Sequence, residues 1–297
     1  MGEEMAKNIY SMTGFGKAEA GSESLQVTVE IKTVNHRFKD IRFKMSSLFN
    51  SVELEMRNLI SQNFKRGSFD INVSYKRLET KSRFDDIDSE KVNAFISSMK
   101  NLADKNEVKI DIKPTDFLRN EFMKEVDESS IDEMNKFAID ALKGAIENLK
   151  ESRETEGQKM VDVIKKHQKS YEEYFNIVND KSDEFQAAVK ERLEKRFDEY
   201  KTAMPVDEPR FMQEVIFYLE KMDIHEEINR INAHLSKLND LLTKGGEVGR
   251  QIDFLIQELN RETNTTGSKS TLQEISEAVV QMKVQLEKIR EQGLNLE

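Results

Sequence analysis

The chain has 297 residues, of which 37% are hydrophobic and 34% charged, with a formal net charge of −10 and no cysteine. This composition predicts a globular protein of two domains with much solvated helix, and it argues against a disordered chain. The absence of cysteine excludes disulfides, thiolate metal sites and cysteine nucleophiles. No apolar run approaches the roughly 20 residues of a membrane span, and no signal-peptide pattern is present, so we expect a cytoplasmic protein.

The first third of the chain predicts a small α+β domain, which we place at residues 9–155 after a short N-terminal extension. Apolar and polar residues alternate over 25–32, 41–45 and 69–76, with the period of two that is typical of strands. Between the last two of these segments, residues 48–64 carry a helical period. A mixed strand and helix domain follows from this order.

Cationic side chains cluster on and between the predicted strands. Such a basic face can bind RNA on a chain of net negative charge, because binding follows the local potential. Phe38, Phe43, Phe69 and Tyr75 interleave with the cations, as in proteins that bind single-stranded RNA. However, the strand alternation indicates that Phe43, Phe69 and Tyr75 point inward as core residues. The predicted RNA-contacting residues are Lys32, Asn35, His36, Arg37, Arg42, Lys44 and Arg66.

From residue 89 onward the pattern is almost entirely helical. A period of 3.6 residues runs from 130 past Gly157 to 175, and further helices are predicted over 181–200, 211–242, 249–264 and 272–292. With only three prolines, the chain favours long helices joined as antiparallel hairpins. We therefore predict an α+β protein whose second half, residues 156–297, is mainly α-helical and carries its catalytic helices at about 211–292.

A first polar stripe lies on the predicted helix 211–242. Asp223, Glu227, Arg230 and His234 follow at spacings of four, three and four, and so share one face. Carboxylates and an imidazole on one face can bind a divalent cation, and a histidine with a reference pKa of about 6.5 suits general acid or base catalysis. Ion pairing along a helix edge is the alternative explanation. His225 falls on another side of this predicted helix.

A second polar stripe follows Gly245-Gly246, which we expect to fold the next helix back on the preceding one. Arginines suit contacts with phosphate and carboxylates suit a metal ion, which together are the groups of phosphodiester chemistry. A salt-bridge network that holds a helical hairpin together is the alternative. Residues 265–268 are predicted to end this helix. The stripe and its flank contain Arg250, Asp253, Gln257, Glu258, Arg261, Glu262 and Asn264.

Seven stretches of the chain, in the right order over nearly its whole length, resemble the YicC/YloC family. They are SMTGFG at 11–16, EIKTVNHR at 30–37, KRG at 65–67, RETEG at 153–157, DIHEE at 223–227, GRQIDFLIQELNRETNTTGSKS at 249–270 and IREQ at 289–292. The tail GLNLE differs from the family's usual VQNIE-like ending. This departure touches no candidate site.

The resemblance implies an endoribonuclease of RNA decay that depends on a divalent metal, notably manganese with magnesium as an alternative, and that assembles as a hexamer around RNA. The positions that match the family are Asp223, Glu226, Glu227, Arg230, His234, Arg250, Asp253, Glu258, Arg261 and Glu262. From residue chemistry we assign the metal to Asp223, Glu227, Asp253 and Glu258. Catalytic roles are assigned to His234, Glu227, Arg230, Arg250, Arg261 and Glu262. The alternative is a non-catalytic oligomeric RNA-binding scaffold whose polar stripes are structural salt bridges.

Overall fold

A computed structural model describes residues 8–78, 87–106, 111, 113, 115, 117, 120–122, 128–203 and 208–297. The sequence also predicts a short helix that begins at Pro114, and Pro114 itself, like most of the N-terminal extension, lies outside these residues. Short 3-10 turns lie at Ser47–Val52 and Asn120–Phe122. The strands and helices of the described residues are β1 Gly14–Gly21, β2 Leu25–Val34, β3 Lys39–Lys44, α1 Glu53–Asn63, β4 Gly67–Arg77, α2 Ser89–Asn106, α3 Glu128–Asp180, α4 Ser182–Ala203, α5 Glu208–Met222, α6 His225–Lys244, α7 Gly249–Lys269 and α8 Gln273–Gly293. The α+β class predicted from the sequence is confirmed.

Two compact units share these elements. The sheet unit comprises Phe15–Lys32 and the described residues of His36–Leu149. The helical unit comprises the described residues up to Gly14, Thr33–Asn35 and Lys150–Glu297. The sequence predicted a division after residue 155. The units divide a few residues earlier, inside the continuous helix α3, where no change in composition marks the place.

The sheet unit contains four strands in the order β1-β2-β4-β3. β3 and β4 are parallel, with Ile41 opposite Phe69 and Phe43 opposite Ile71, and α1 lies in the connection between them as parallel pairing requires. One face of the sheet buries alternating residues against α1 and the first part of α3. This core includes Leu25, Val27, Val29, Ile31, Met56, Ile60, Phe69, Ile71, Val73, Leu142 and Leu149.

β1 was not predicted from the sequence, because its glycines and alanines carry little strand signal. Gly16 lies on this strand, and a Cβ atom there would stand 2.1 Å from the carbonyl oxygen of Ala145 on α3. The missing side chain therefore lets the strand approach the helix closely.

In the helical unit, the segment before β1 and the C-terminal tail are joined to α3. Arg153 is buried and donates from Nε to the carbonyl oxygen of Ser11 at 2.5 Å, and it pairs with the carboxylate of Glu297 at 2.5 Å. Ser11 and Leu296 form an antiparallel bridge. The RETEG stretch thus has a structural role, since it holds both ends of the described chain against one helix.

The helix predicted over 211–242 is two helices, and this prediction was wrong. α5 ends at Met222 and α6 begins at His225. The carboxylate of Asp223 accepts a hydrogen bond from the backbone N–H of His225 at 2.9 Å, which satisfies a donor at the start of the new helix. Asp223 followed three residues later by Glu226 is a sequence order typical of helix starts, although the N-cap residue of α6 is Ile224, which makes no side-chain cap.

The predicted end of the next helix at 265–268 was also wrong, because α7 continues to Lys269. The hydroxyl groups of Thr263 and Thr266 donate to the carbonyl oxygens of Leu259 and Glu262, four residues back, at 2.7 and 2.9 Å. These bonds satisfy the hydroxyls inside the helix.

The connection between α6 and α7 is as short as predicted. Gly245 and Gly246 have φ values of 68° and 86°, a region that residues with a Cβ atom rarely occupy. α7 then packs against both α6 and α8. No helix among the described residues combines the length and the apolar character needed to cross a membrane.

Gly157→Ala is expected to destabilise the protein by about 2 kcal/mol or more, although Gly to Ala inside a helix normally stabilises by about 1 kcal/mol. The reason is that a Cβ atom at Gly157 would stand 2.3 Å from the backbone oxygen of Ile9. Chemical denaturation measures the change. Thr155→Ala, at an exposed position in the same turn, is the matched control, and a gain in stability from Gly157→Ala would contradict the packing described.

Candidate active site on helices α6 and α7

The start of α6 lies beside the end of α7, and an ion pair joins them. Glu227 is only 4% exposed, and its Oε1 accepts a hydrogen bond from Nζ of Lys269 at 2.7 Å. The same ammonium donates to the backbone carbonyl of Asp223 at 2.7 Å. A buried carboxylate requires such a partner, because an uncompensated charge in the protein interior is strongly destabilising.

The His225 side chain turns back toward Asp223, two residues earlier in the chain. Its Nδ1 lies 2.7 Å from Oδ1 of Asp223, and its Nε2 lies 3.5 Å from Oδ1 of Asp183. The hydrogen bond with Asp223 raises the pKa of His225 against the opposing effect of burial. Burial acts to raise the pKa of Asp223, but hydrogen bonds from His225 and the charges of His225 and Lys269 lower it overall. Both carboxylates therefore favour the protonated form of the imidazole.

Arg230 and Glu262 join the two helices farther along. The guanidinium of Arg230 lies 3.5 Å from Oε1 of the buried Glu262, and it also pairs with Glu226 one turn back. The Arg230 side chain remains 47% exposed, so it can still contact a ligand. This contact joins the two polar stripes across the hairpin.

His234 lies on the same edge of α6 as Arg230, one turn farther on. The pairs Glu227 with Lys269 and Arg230 with Glu262 set an antiparallel register, and extending it brings His234 level with Glu258 of α7. The ring is half-buried, and within the described residues its Nδ1 is buried with no hydrogen-bond partner. The α6–α7 seam, which we define as Arg230, His234, Glu258, Arg261 and Glu262, thus combines one imidazole with two arginines and two carboxylates.

The structure does not bring Asp253 to this seam. Its Oδ1 lies 3.0 Å from Nε of Arg290 on α8, and its other oxygen accepts a hydrogen bond from Gln257 at 2.9 Å. Asp253 precedes Lys269 by 16 residues, which places it about 24 Å away along the helix axis at about 1.5 Å per residue. Asp253 points toward α8 and belongs to a different helix pair.

The predicted metal ligands are consequently split. Asp223 and Glu227 lie at one end of the hairpin and Asp253 toward the other, while Glu258 lies 3.8 Å from Arg261. Across the part of the chain that the structure describes, no three histidine, aspartate or glutamate side chains are grouped so that they could hold a metal ion. The second carboxylate oxygen of Glu227 is buried and has no hydrogen-bond partner there, but one oxygen does not make a divalent site. Within one chain, the residues that the structure describes do not fit a resident metal ion.

The predicted RNA-contacting residues of the sheet unit are mostly exposed. Lys32, His36, Arg37, Arg42 and Lys44 lie at the surface, and Arg66 is half-buried. The guanidinium of Arg37 lies 5.4 Å from the ring centre of Phe38, which is itself exposed. Arg42 pairs with Asp40 at 2.6 Å and lies in register with Asp70 of β4. Carboxylates therefore stand among the cations, and this face is less basic than the sequence suggested.

The aromatic residues of this unit divide between core and surface. Phe69 is fully buried and Phe43 packs against the core, which confirms the prediction from strand alternation for these two. Tyr75 is 42% exposed near the end of β4.

Asn35 belongs to the helical unit and is already engaged. Its amide donates to the carbonyl oxygen of Leu294 at 3.0 Å and to the side chain of Asn295 at 3.2 Å.

Sequence reasoning missed two polar residues beside Asp223 and Glu227. Lys269 follows the segment predicted to end its helix, so nothing indicated that it would reach back to Glu227. His225 was set aside as lying on another face, because the predicted helix ran through Asp223 without a break. The order of Asp223 and Glu226 was the one available signal, since a helix that starts at residue 225 places His225 beside Asp223.

Comparisons with known proteins agree along the whole chain. Two family models match it, described as "Endoribonuclease YicC-like, N-terminal region" over residues 9–162 and "Endoribonuclease YicC-like, C-terminal" over residues 178–297. A protein of Clostridioides difficile named "Probable endoribonuclease YicC" is 33% identical, over 97% of this chain and 99% of its own length. A Haemophilus influenzae protein of the same name is 32% identical, over 97% of this chain and all of its own length.

Lys269→Met is expected to destabilise the protein by about 3 to 5 kcal/mol, because it leaves the Glu227 carboxylate buried without its cation. Adding Glu227→Leu should recover most of this loss, since an apolar pair can replace a buried ion pair. Chemical denaturation gives both values. Lys283→Met, at an exposed position on α8, is the control. A Lys269→Met protein as stable as this control would show that the ion pair between Glu227 and Lys269 does not contribute to the stability of the protein.

The stability of the protein should depend on the charge of His225 near neutral pH. Because the folded-state pKa is raised from 6.5, the stabilisation is fully present below that value and is lost as the pH rises through the raised pKa. Asp223, whose pKa is lowered from 3.8, adds no change in that range. Unfolding midpoints of the wild type and His225→Gln, measured between pH 6 and pH 9, should converge as the pH rises. A constant difference would contradict the ion pair.

Proposed function

Because the chain belongs to the YicC-like endoribonuclease family, we propose that it is an endoribonuclease, an enzyme that cleaves phosphodiester bonds within RNA. The observation that carries this proposal is the match of both family models, which together extend over nearly the whole chain. Two relatives named as probable endoribonucleases support it. We place the reaction in the α6–α7 seam.

His234 is the general acid or base of the proposed reaction. Cleavage breaks a P–O bond, and a positioned imidazole can donate a proton to the leaving oxygen as that bond breaks. Because Nδ1 is buried, Nε2 is the nitrogen that exchanges the proton with RNA. Arg230 and Arg261 stand on the two helices beside His234, where they can stabilise negative charge that develops on the phosphate oxygens. Glu258 and Glu262 hold these arginines in place.

His225 is the competing histidine, and its surroundings argue against a direct role. Its two ring nitrogens face the carboxylates of Asp223 and Asp183, so a phosphate approaching the ring would meet negative charge. Its bond with Asp223 also stabilises the start of α6. We therefore assign His225 a structural role.

Metal dependence, with Mn²⁺ preferred and Mg²⁺ as the alternative, is a separate part of the proposal. Since the described residues do not fit a resident ion, no step of the reaction is routed through a metal. An ion that arrives with the RNA needs only one or two protein carboxylates, because the substrate phosphates supply further ligands. Glu258, which is half-buried and lies 3.8 Å from Arg261, is the seam carboxylate that such an ion would reach, because Glu262 is buried.

The assembly and the rest of the RNA-binding surface complete the proposal. The exposed cations Lys32, Arg37 and Lys44 of the sheet unit would contact RNA phosphates. A homo-oligomer, for which we expect a hexamer, would cover the large apolar side chains that α5 exposes, among them Phe217. We propose the cytoplasm as the compartment, where the RNA substrates are.

A non-catalytic RNA-binding scaffold is the second candidate, and the ion pairs favour it specifically. Glu227, Asp253, Glu258 and Glu262 each lie within 4 Å of a cation, as expected of carboxylates with a structural task. This candidate predicts RNA binding without cleavage under any metal condition. The cleavage measurement below separates the two.

His234→Gln is expected to slow cleavage of a labelled single-stranded RNA by about 10²- to 10⁴-fold and to leave RNA binding unchanged, because only proton transfer is lost. His225→Gln should cleave at nearly the wild-type rate at pH 7. Reactions run with Mn²⁺, with Mg²⁺ and with a chelator test metal dependence. The ends of the products show whether water or the RNA 2′-hydroxyl attacks.

A preparation of His234→Gln that cleaves as fast as the wild type would refute the assigned acid or base. A contaminating nuclease would cleave equally in every preparation, so a loss of cleavage in His234→Gln relative to Lys283→Ala, purified in parallel, shows that the activity belongs to this protein. Binding without cleavage by the wild type in every metal would establish the scaffold instead.

A further inference from the structure

One face of α7 is exposed along its whole length and carries no carboxylate. Successive residues of a helix are 100° apart, so residues spaced alternately by four and three lie within a narrow arc. Six exposed or half-exposed residues fall in this arc over about 27 Å of helix, at about 1.5 Å per residue. This α7 face consists of Arg250, Phe254, Gln257, Arg261, Asn264 and Ser268.

The charge of this face is unusual for the chain. Acidic residues outnumber basic ones by 56 to 46 overall, yet the α7 face contains two arginines, two amides, one serine and one aromatic ring. The carboxylates on its two flanks already face cations, since Asp253 pairs with Arg290 and Glu258 lies 3.8 Å from Arg261. A polyanion can therefore approach this strip of the surface without meeting an unpaired acid.

The same face is poorly suited to packing against another helix. Its spacing is that of a coiled-coil seam, but such seams are filled by aliphatic residues, and five of these six side chains are polar. The aliphatic residues of α7 are on the opposite side, where Ile252, Ile256 and Leu259 are buried in the core. Phe254 is 61% exposed and stands alone between the two arginines.

We propose that the α7 face is a binding track for single-stranded RNA, in which Phe254 stacks on a base and Arg250 and Arg261 contact phosphates on either side of it. An aromatic ring between cations is how single-stranded nucleic acid is bound without base pairing. The arginines lie about 6 Å and about 10 Å from Phe254 along the axis, at about 1.5 Å per residue. Arg261 belongs to both the track and the α6–α7 seam, so a strand bound on the track passes His234. This inference rests on the proposed function for its occupant.

The first test replaces the stacking ring. We expect Phe254→Ala to weaken the Kd for a fluorescent U12 oligonucleotide, measured by anisotropy with a chelator present, by about 5- to 100-fold. Phe254→Tyr should restore wild-type binding, because it keeps the ring. Leu54→Ala is the matched control, since this leucine is 70% exposed on α1 and outside the track.

The second test concerns the phosphate contacts. Arg250→Ala should lower the slope of log Kd against log salt concentration by about 0.7, the value expected for one lost contact with a single strand. Phe254→Ala should leave that slope unchanged, because stacking releases no counterion. Lys283→Ala removes an exposed cation from α8 and should alter neither the affinity nor the slope.

The outcomes distinguish the track from the proposed function. If the wild type binds and cleaves RNA and Phe254→Ala binds U12 as tightly as the wild type, the track is wrong and the endoribonuclease stands. If the wild type neither binds nor cleaves RNA, both the proposed function and the binding track are refuted. If Phe254→Ala loses binding and light scattering shows that its assembly is smaller than that of the wild type, the α7 face is a contact between copies of the chain. The inference is then overturned.

Discussion

The ion pair between Glu227 and Lys269 is the constraint on which the candidate site depends. It joins the first turn of α6 to the last residue of α7, while Gly245 and Gly246 join the other ends of the two helices. The carboxylate lies at a helix N-terminus and the ammonium at a helix C-terminus, so each charge is also favourable with the dipole of its own helix. Because both ends of the hairpin are tied, the register of every residue between them follows.

That register explains which polar residues meet. Arg230 reaches Glu262, and His234 is brought level with Glu258, so the imidazole and two arginines share one seam. The carboxylates in the hairpin chiefly hold cations in position, and they leave little capacity for a resident metal. An acidic chain can still engage RNA under this arrangement, since the arginines project from helix edges while their acidic partners lie beneath or beside them.

Periodicity predicted most of the fold, because it reflects local physics. Alternation over 25–32 and 69–76 identified β2 and β4, and the long 3.6-residue period identified α3, which runs unbroken from Glu128 to Asp180. β1 was missed because its small residues are selected by a close approach to α3, a contact that a local pattern does not contain. The break before α6 was missed because the apolar spacing continues through Ile224 and hides the start of a new helix at His225.

The sequence by itself determined the class of fold, the two polar stripes and the arginine and histidine content that suits RNA chemistry, since these depend on residue type and spacing along one helix. Only the tertiary structure decided which stripe residues face one another. Asp253 and Glu258 are separated by slightly more than one helical turn of α7. Asp253 nevertheless faces Arg290 of α8, whereas Glu258 lies on the side toward α6. The direction of a side chain is set by the helices packed around it, and that arrangement arises from contacts between residues far apart in the chain.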